Sequence, residues 1–338
     1  MVTRKVQKVG RSTYTVSLPH DWVETRKITP KTEMDIQSLP DGSLKVSTHD
    51  SIKGETKIKE IVMKFKEPDP GFLIRRTLAA YLSNFDVLKL DLSGISLEAS
   101  GREKIRRMIK NKMAGGEIIE ESVNHMTIQI LLRPYEFPLD KLLLRMATMT
   151  YDMILDIGKA IDKMDKNILK DVIERDEDVD KFYFMGGRWL TNMISEHSAP
   201  KSYGIKEAKD CLEYRIVFRH IERVADHAIR IASKILDVVD EINEEQIKAV
   251  VKALETAGSV FTRSVNCLQS GNLQGANSTI HDARKVIATA EELMDKVVDS
   301  KIPTRAIGAM IIIIESIKRI SEYGIGISEI AFNLHVTT

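Results

Sequence analysis

The spacing of apolar residues changes along the chain. In the last two-thirds they recur every three or four positions. Val217, Ile221, Val224, Ala228, Ile231 and Ile235 are separated by 4, 3, 4, 3 and 4, the seam of a packed helix. The same period predicts helices over about 139–165, 167–197, 204–240, 243–270, 272–300 and 303–334, with breaks at Asp165-Lys166-Asn167, at 200–204, at Gly271-Asn272 and at Pro303. Each half reads as a three-helix bundle. Proline placement agrees: Pro19, Pro30, Pro40, Pro68, Pro70 and Pro134 fall in the first 134 residues, and only Pro138, Pro200 and Pro303 in the other 204. Proline breaks regular helix, so long helices belong to the later segment.

Residues 56–133 read β-α-β-α-β-β. The stretch 57–65 alternates as a strand, Pro70 opens a helix through Ile74, Leu78, Tyr81 and Leu82, and 87–92 is a second strand. A basic amphipathic helix spans 102–113, and two strands follow Gly116, the last at 126–132. A small α/β sandwich is expected. No glycine-rich phosphate loop lies at its strand-to-helix junctions, so nucleotide binding has no support. Before it, 13–18, 34–36 and 44–46 are short β-type stretches, 20–26 is one short helix, and Asp41-Gly42 marks a hairpin turn. Fifty residues of short strands cannot bury a core alone. A dimer that shares strands is the expected remedy.

The helical halves repeat: Ile221-Glu222-Arg223-Val224-Ala225-Asp226 aligns with Ile317-Lys318-Arg319-Ile320-Ser321-Glu322 at an offset of 96 residues. Such duplication suggests two bundles side by side. The fold class is therefore multidomain α+β, with domains at 1–50, 51–136, 137–240 and 241–338.

Fifty Lys+Arg against 49 Asp+Glu leave a net charge of +1, so any anion-binding surface is a local patch. Residues 1–11 are one, with Arg4, Lys5, Lys8 and Arg11 and no acid. Such groups beside a Gly10 turn suit phosphate backbones, although a basic end is also commonly just solvated. There is no apolar leader segment, and the most apolar run, 307–314, is too short to span a bilayer. With Cys211 and Cys267 forming no paired motif, a cytoplasmic protein is expected.

Carboxylates form the second constellation. Glu222 and Asp226, and likewise Asp152 and Asp156, are four apart, one turn above each other on a helix. Such pairs on neighbouring helices can hold a hard cation or iron, or form an ordinary salt-bridged surface with Arg219 and Arg223. His220 and His227 flank the pair; His227 could add a nitrogen ligand or be simply solvated. Met146, Met149 and Met153 read as core, and no nucleophile–base arrangement is legible, so the chain is read as no enzyme.

Two resemblances sharpen this reading. Residues 3–19, from Thr3-Arg4-Lys5 through Gly10-Arg11 to Leu18-Pro19, resemble the start of the AbrB/SpoVT swapped-hairpin domain, and residues 41–46 its closing hairpin. That likeness implies an interlaced β-barrel homodimer binding double-stranded DNA through Arg4, Lys5, Lys8 and Arg11, with Arg26 and Lys27 as further candidates. Residues 219–232, containing Glu222-Arg223 and Asp226-His227, are similar to the signature of PhoU proteins. This second likeness implies tandem three-helix bundles, regulation of phosphate uptake, a phosphate transporter's ATPase as partner, and surface metal clusters. Carried across, it gives one metal site at most (iron, zinc, manganese or magnesium), in the first bundle, on Asp152, Asp156, Glu222 and Asp226, with Asp176 and Asp180 as outer candidates. In the second bundle Lys318 stands where a ligand would, and it could pair with Glu322. The combined expectation is a phosphate-responsive DNA-binding regulator. A non-DNA-binding adaptor at the transporter is the alternative, and a metal-dependent hydrolase is disfavoured because the carboxylates are expected to be exposed.

Overall fold

The computed structural model describes residues 3–38, 42–48, 58–133, 137–195, 205, 207–238, 241 and 244–336. The turn expected at Asp41, the strand start at Lys57 and the helix break at 200–204 lie outside them. The chain divides into two compact units, Met1–Ile58 and Lys59–Thr338.

In the first unit, β1 (Gln7–Val9) and β2 (Thr13–Thr15) form an antiparallel hairpin, with Lys8 opposite Tyr14. Gly10 turns the chain at φ +70°, a conformation that suits glycine because it has no Cβ. Helix α1 (His20–Thr25) follows, then β3 (Met34–Ser38) paired with β4 (Leu44–Thr48). The expected interlaced barrel is not closed within one chain: β1–β2 and β3–β4 are separate two-stranded sheets. Two-stranded hairpins cannot cover both faces of their own side chains. None of the described side chains of this unit is buried, and Val6, Val9, Tyr14, Val16, Ile36 and Leu44 are each more than half exposed.

The second unit opens with an α/β layer: β5 (Glu60–Lys64), α2 (Pro70–Leu82), β6 (Val87–Asp91), α3 (Ala99–Lys112), β7 (Gly116–Glu121) and β8 (His125–Ile130). The sheet order is β5-β6-β8-β7, with β5 and β6 parallel and the other pairs antiparallel. Alternation places Met63, Leu88, Leu90, Met126, Ile128 and Ile130 in one core with Leu73 and Tyr81 of α2 and Ile105 and Ile109 of α3. Helix α2 starts where it does because Pro70 sits in its first turn and the Asp69 side chain accepts a 2.8 Å bond from the Gly71 N–H.

The helical region follows as α4 (Leu139–Lys163), α5 (Lys166–Glu174), α6 (Asp176–Ser195), α7 (Cys211–Val238), α8 (Glu244–Ser270), α9 (Leu273–Val298) and α10 (Thr304–His335). The single helix expected over 167–197 is two. Arg175 ends α5, and Asp176, Glu177 and Asp178 fill the first turn of α6, where carboxylates meet the positive end of the helix dipole. Among the described residues the first helical group thus has four α-helices where three were expected. The 217–235 seam of α7 is buried throughout. Helix α10, which carries the duplicated motif, packs alongside α7. Tyr323 lies between His220 and His227, with ring centroids 5.3 and 5.9 Å away. Close approach explains Gly326, whose added Cβ would stand 2.8 Å from His220 Nε2.

Candidate functional site

The acidic constellation forms where α6, α7 and the end of α3 meet, and it differs from the expected set. Glu222 and Asp226 project from one face of α7. Their electrostatic neighbours are each other, Asp180 of α6, and the cations Arg223 and Arg219. Asp176, one turn before Asp180, faces Asp180 and Asp226. The two residues assigned an outer place are therefore the ones that join Glu222 and Asp226.

Asp152 and Asp156 are not among the electrostatic neighbours of Asp176, Glu222 and Asp226. Asp152 is exposed. Asp156 is neutralised: Lys159 donates to Oδ1 at 2.9 Å and Arg175 to Oδ2 at 2.6 Å. Burial works to raise its pKa, but the bonds from Lys159 and Arg175 outweigh it and leave the group below the ordinary value. In the four-residue set of the sequence reading, Asp156 is thus held by Arg175, at the unforeseen helix break, and by Lys159. Among the described residues no three His, Cys, Asp or Glu side chains are arranged to hold a metal ion as they stand.

Two members of the cluster are less exposed than spacing suggested, while the Asp226 side chain is 37% exposed. The side chain of Glu222 is 14% exposed and that of Asp180 13%. The α/β layer supplies the cover. Lys112, the last residue of α3, reaches Asp180 at 2.6 Å and lies over the Phe184 ring, and Lys181 of α6 donates back to the Lys110 carbonyl at 3.1 Å. Burial comes first in raising the pKa of Glu222 and of Asp226 above the usual carboxylate range, followed by Asp226 for the former and, after the opposing pull of Arg223, by Asp180 for the latter. Asp176 is pushed up to about 6 by burial and then by Asp180 and Asp226, against the pull of Lys112. Glu222 Oε2 is buried, lies 3.5 Å from Arg223 Nε and accepts no hydrogen bond. The site thus holds more negative charge than its cations balance, which is the condition for attracting a further cation.

The duplicated position is different. Lys318 donates to Glu291 of α9 at 2.8 Å, not to Glu322, which is held by Arg319 at 2.8 Å. His220 and His227 are partly buried, and the Nδ1 atom of each is buried without a hydrogen-bond partner. Burial lowers the pKa of both, and the His227 value falls to about 4 with help from Arg230, Arg319 and Arg223. Burial pushes the Cys211 thiol up to about 11, an unreactive state.

In the first unit, Arg4, Lys5, Lys8, Arg11, Arg26 and Lys27 are all exposed. Among the described residues none is in an ion pair, although Lys8 Nζ lies 6.0 Å from the Tyr14 ring centroid. Lys27 takes a left-handed backbone conformation at φ 51°.

These features define a class: a helical-bundle module of two related halves, with an acidic cluster, among the described residues, in the first half and an α/β layer against that cluster. Residues 143–235, from α4 through most of α7, match the model of the PhoU domain. The fold is similar to that of the phosphate transport system regulatory protein PhoU from Streptococcus pneumoniae, with a TM-score of 0.52 and 14% identity over 59% of this chain and 94% of that one. PhoU from Pseudomonas aeruginosa matches with a TM-score of 0.47 and 14% identity over 59% and 96%. No curated protein matches the chain. No helix of the described residues is long and apolar enough to cross a membrane.

Proposed function

We propose that the protein is a phosphate-responsive regulator of phosphate uptake that binds double-stranded DNA through its first unit and senses or docks through its helical region. The PhoU-domain match over 143–235 carries the phosphate assignment. Arg4, Lys5, Lys8, Arg11, Arg26 and Lys27, exposed and in no ion pair among the described residues, support the DNA assignment. Its exposed Val6, Val9, Tyr14, Val16, Ile36 and Leu44 support dimerisation, since a second copy of the AbrB/SpoVT type would cover them. Two copies bring the +4 arm of residues 1–11 to +8 in total, enough for strongly salt-dependent affinity. The helical region would meet a phosphate transporter's ATPase on the cytoplasmic side. That contact shifts DNA binding only if it favours one spacing of the two arms over another.

At most one metal ion (iron, zinc, manganese or magnesium) belongs to this reading. Asp176, Asp180, Glu222 and Asp226 are oxygen donors of the kind a hard cation takes, and binding one would displace Lys112 from Asp180 and Arg223 from Asp226; on Asp152 and Asp156 it would displace Lys159 and Arg175 from Asp156. Its contribution would be charge neutralisation at the α3–α6–α7 junction. The role is regulatory and not enzymatic, in keeping with the unreactive Cys211 thiol and the desolvated histidines.

The test is a salt titration of DNA affinity with the full chain. Arg4→Ala with Arg11→Ala removes four cations from a dimer. The variant is expected to bind more weakly and to reduce the slope of log affinity against log salt by about 3 to 4. Unchanged affinity and slope would overturn DNA binding in favour of an adaptor whose first unit only dimerises.

A further inference from the structure

Helices α8 and α9 pack against each other along the second half, and several small residues line the space between them. Ala249, Ala253 and Thr256 on α8 meet Val286 and Thr289 on α9, and the space left between them is a groove of about 450 Å³. That volume falls in the range of small-molecule sites, roughly 300–1,000 Å³. Ala253 and Val286 are buried and give the groove an apolar floor, while Thr256 and Thr289 stand on its rims.

Its charges are unequal. At one end Asp282 is held by Arg263 at 2.9 Å and by Lys285 at 3.0 Å, so three groups leave one net positive charge. Arg263 has no acceptor for its Nε. Toward the other end, beside Leu293, Lys252 is exposed and its ammonium has no partner among the described residues. An apolar floor with a surplus of two cations does not suit a neutral ligand or a metal ion. It suits a molecule with an acidic head and a flat or extended apolar body, whose head offsets the unpaired ammonium while its body removes the floor from water.

We propose that the α8–α9 groove is a binding site for a small amphipathic organic anion, with Lys252 receiving the acidic group and Ala253 and Val286 the apolar body. The site lies in the half of the helical region that lacks the acidic cluster, and it does not depend on the DNA assignment.

8-Anilinonaphthalene-1-sulfonate, which joins a sulfonate to an apolar ring system, is the probe. Titrated into the full chain and followed by fluorescence and calorimetry, it is expected to show one saturable site per chain in this groove. Lys252→Glu with Lys285→Glu is expected to weaken that site about tenfold. Thr256→Trp, which fills the groove from its rim, is expected to abolish it. Both variants change exposed positions and are expected to keep the wild-type melting temperature, so a loss of binding with unchanged melting supports the site. The uncharged N-phenyl-1-naphthylamine is expected to bind at least tenfold more weakly than the sulfonate. Absence of a saturable site in the wild type overturns the proposal. So does equal binding by the wild type and both variants, which would place the dye on other apolar surface.

Discussion

Replacing Arg188 by methionine is expected to destabilise the second unit by about 3–5 kcal/mol, the cost of breaking a buried, hydrogen-bonded ion pair from one side. Arg188 is 3% exposed on α6. Its Nη1 donates to the carbonyls of Tyr81 (2.7 Å) and Phe85 (2.8 Å), and its Nη2 to Asp86 Oδ1 at 3.1 Å. The guanidinium also lies over the Tyr81 ring, 5.0 Å from its centroid. Asp86 in turn accepts from Arg133 at 3.2 Å and from the Lys59 N–H at 3.0 Å. One side chain of the helical region therefore satisfies two carbonyls at the end of α2 and a buried carboxylate of the α/β layer. Methionine would match the stem but take a donor from each of three acceptors, leaving Asp86 to Arg133 and the Lys59 N–H and the Tyr81 carbonyl to the Asn84 N–H. Urea unfolding of the full chain checks this by a lowered midpoint. Pairing Arg188→Met with Asp86→Asn is expected to cost less than the two single changes added together, since each already removes the shared contact. A loss below about 1 kcal/mol for Arg188→Met would show that the α/β layer is held to the bundle by its other contacts, apolar packing and the Lys112–Asp180 pair among them, and not by Arg188.

Periodicity made some of this molecule legible and hid the rest. The α7 seam, the β-α-β-α-β-β order and the short strands and helix of the first unit all follow from patterns confined to neighbouring residues, and the structure has them. What escaped depends on partners distant in sequence. Arg188 sits among Met185, Trp189 and Leu190, and a lone cation in an apolar helical stretch is the signal that it has a buried acceptor. The break at Arg175 has no glycine or proline to announce it; the run Asp176-Glu177-Asp178 was the available mark of a new helix start. Lys112 read as one more charge on a basic helix, yet it is the residue that reaches the acidic cluster. The i,i+4 rule found Glu222 with Asp226 and Asp152 with Asp156 equally well. Which pair meets Asp176 and Asp180 is decided by tertiary packing, and spacing within a helix carries no information about that.

Asp176→Asn is expected to make the protein more stable at neutral pH, although it removes a charge from the first turn of α6, where acids are ordinarily favourable. The folded chain holds the Asp176 pKa at about 6, chiefly through burial and then through Asp180 and Asp226. An unfolded aspartate titrates near 3.9. Between about pH 4 and pH 6 the folded form therefore binds the proton more tightly, and the contribution to stability falls as pH rises through that window. Above pH 6 the full penalty is present. Two units correspond to about 3 kcal/mol, and partial solvent screening reduces this to about 1–2 kcal/mol. Glu222 and Asp226, both raised, act in the same direction. The asparagine variant should thus gain about 1–2 kcal/mol at pH 7 and nothing at pH 4, with a flatter stability profile between; thermal unfolding at a series of pH values reads this directly. A wild-type profile that rises from pH 4 to pH 7 and is unchanged by the substitution would mean that Lys112, Arg223 and Arg219 already balance the cluster. If the strain is present, Mn²⁺ or Mg²⁺ should stabilise the wild type more than Asp176→Asn, because a cation gains most where carboxylates are held together at a cost. That difference would connect the raised carboxylates to occupancy of the junction between α3 and the bundle.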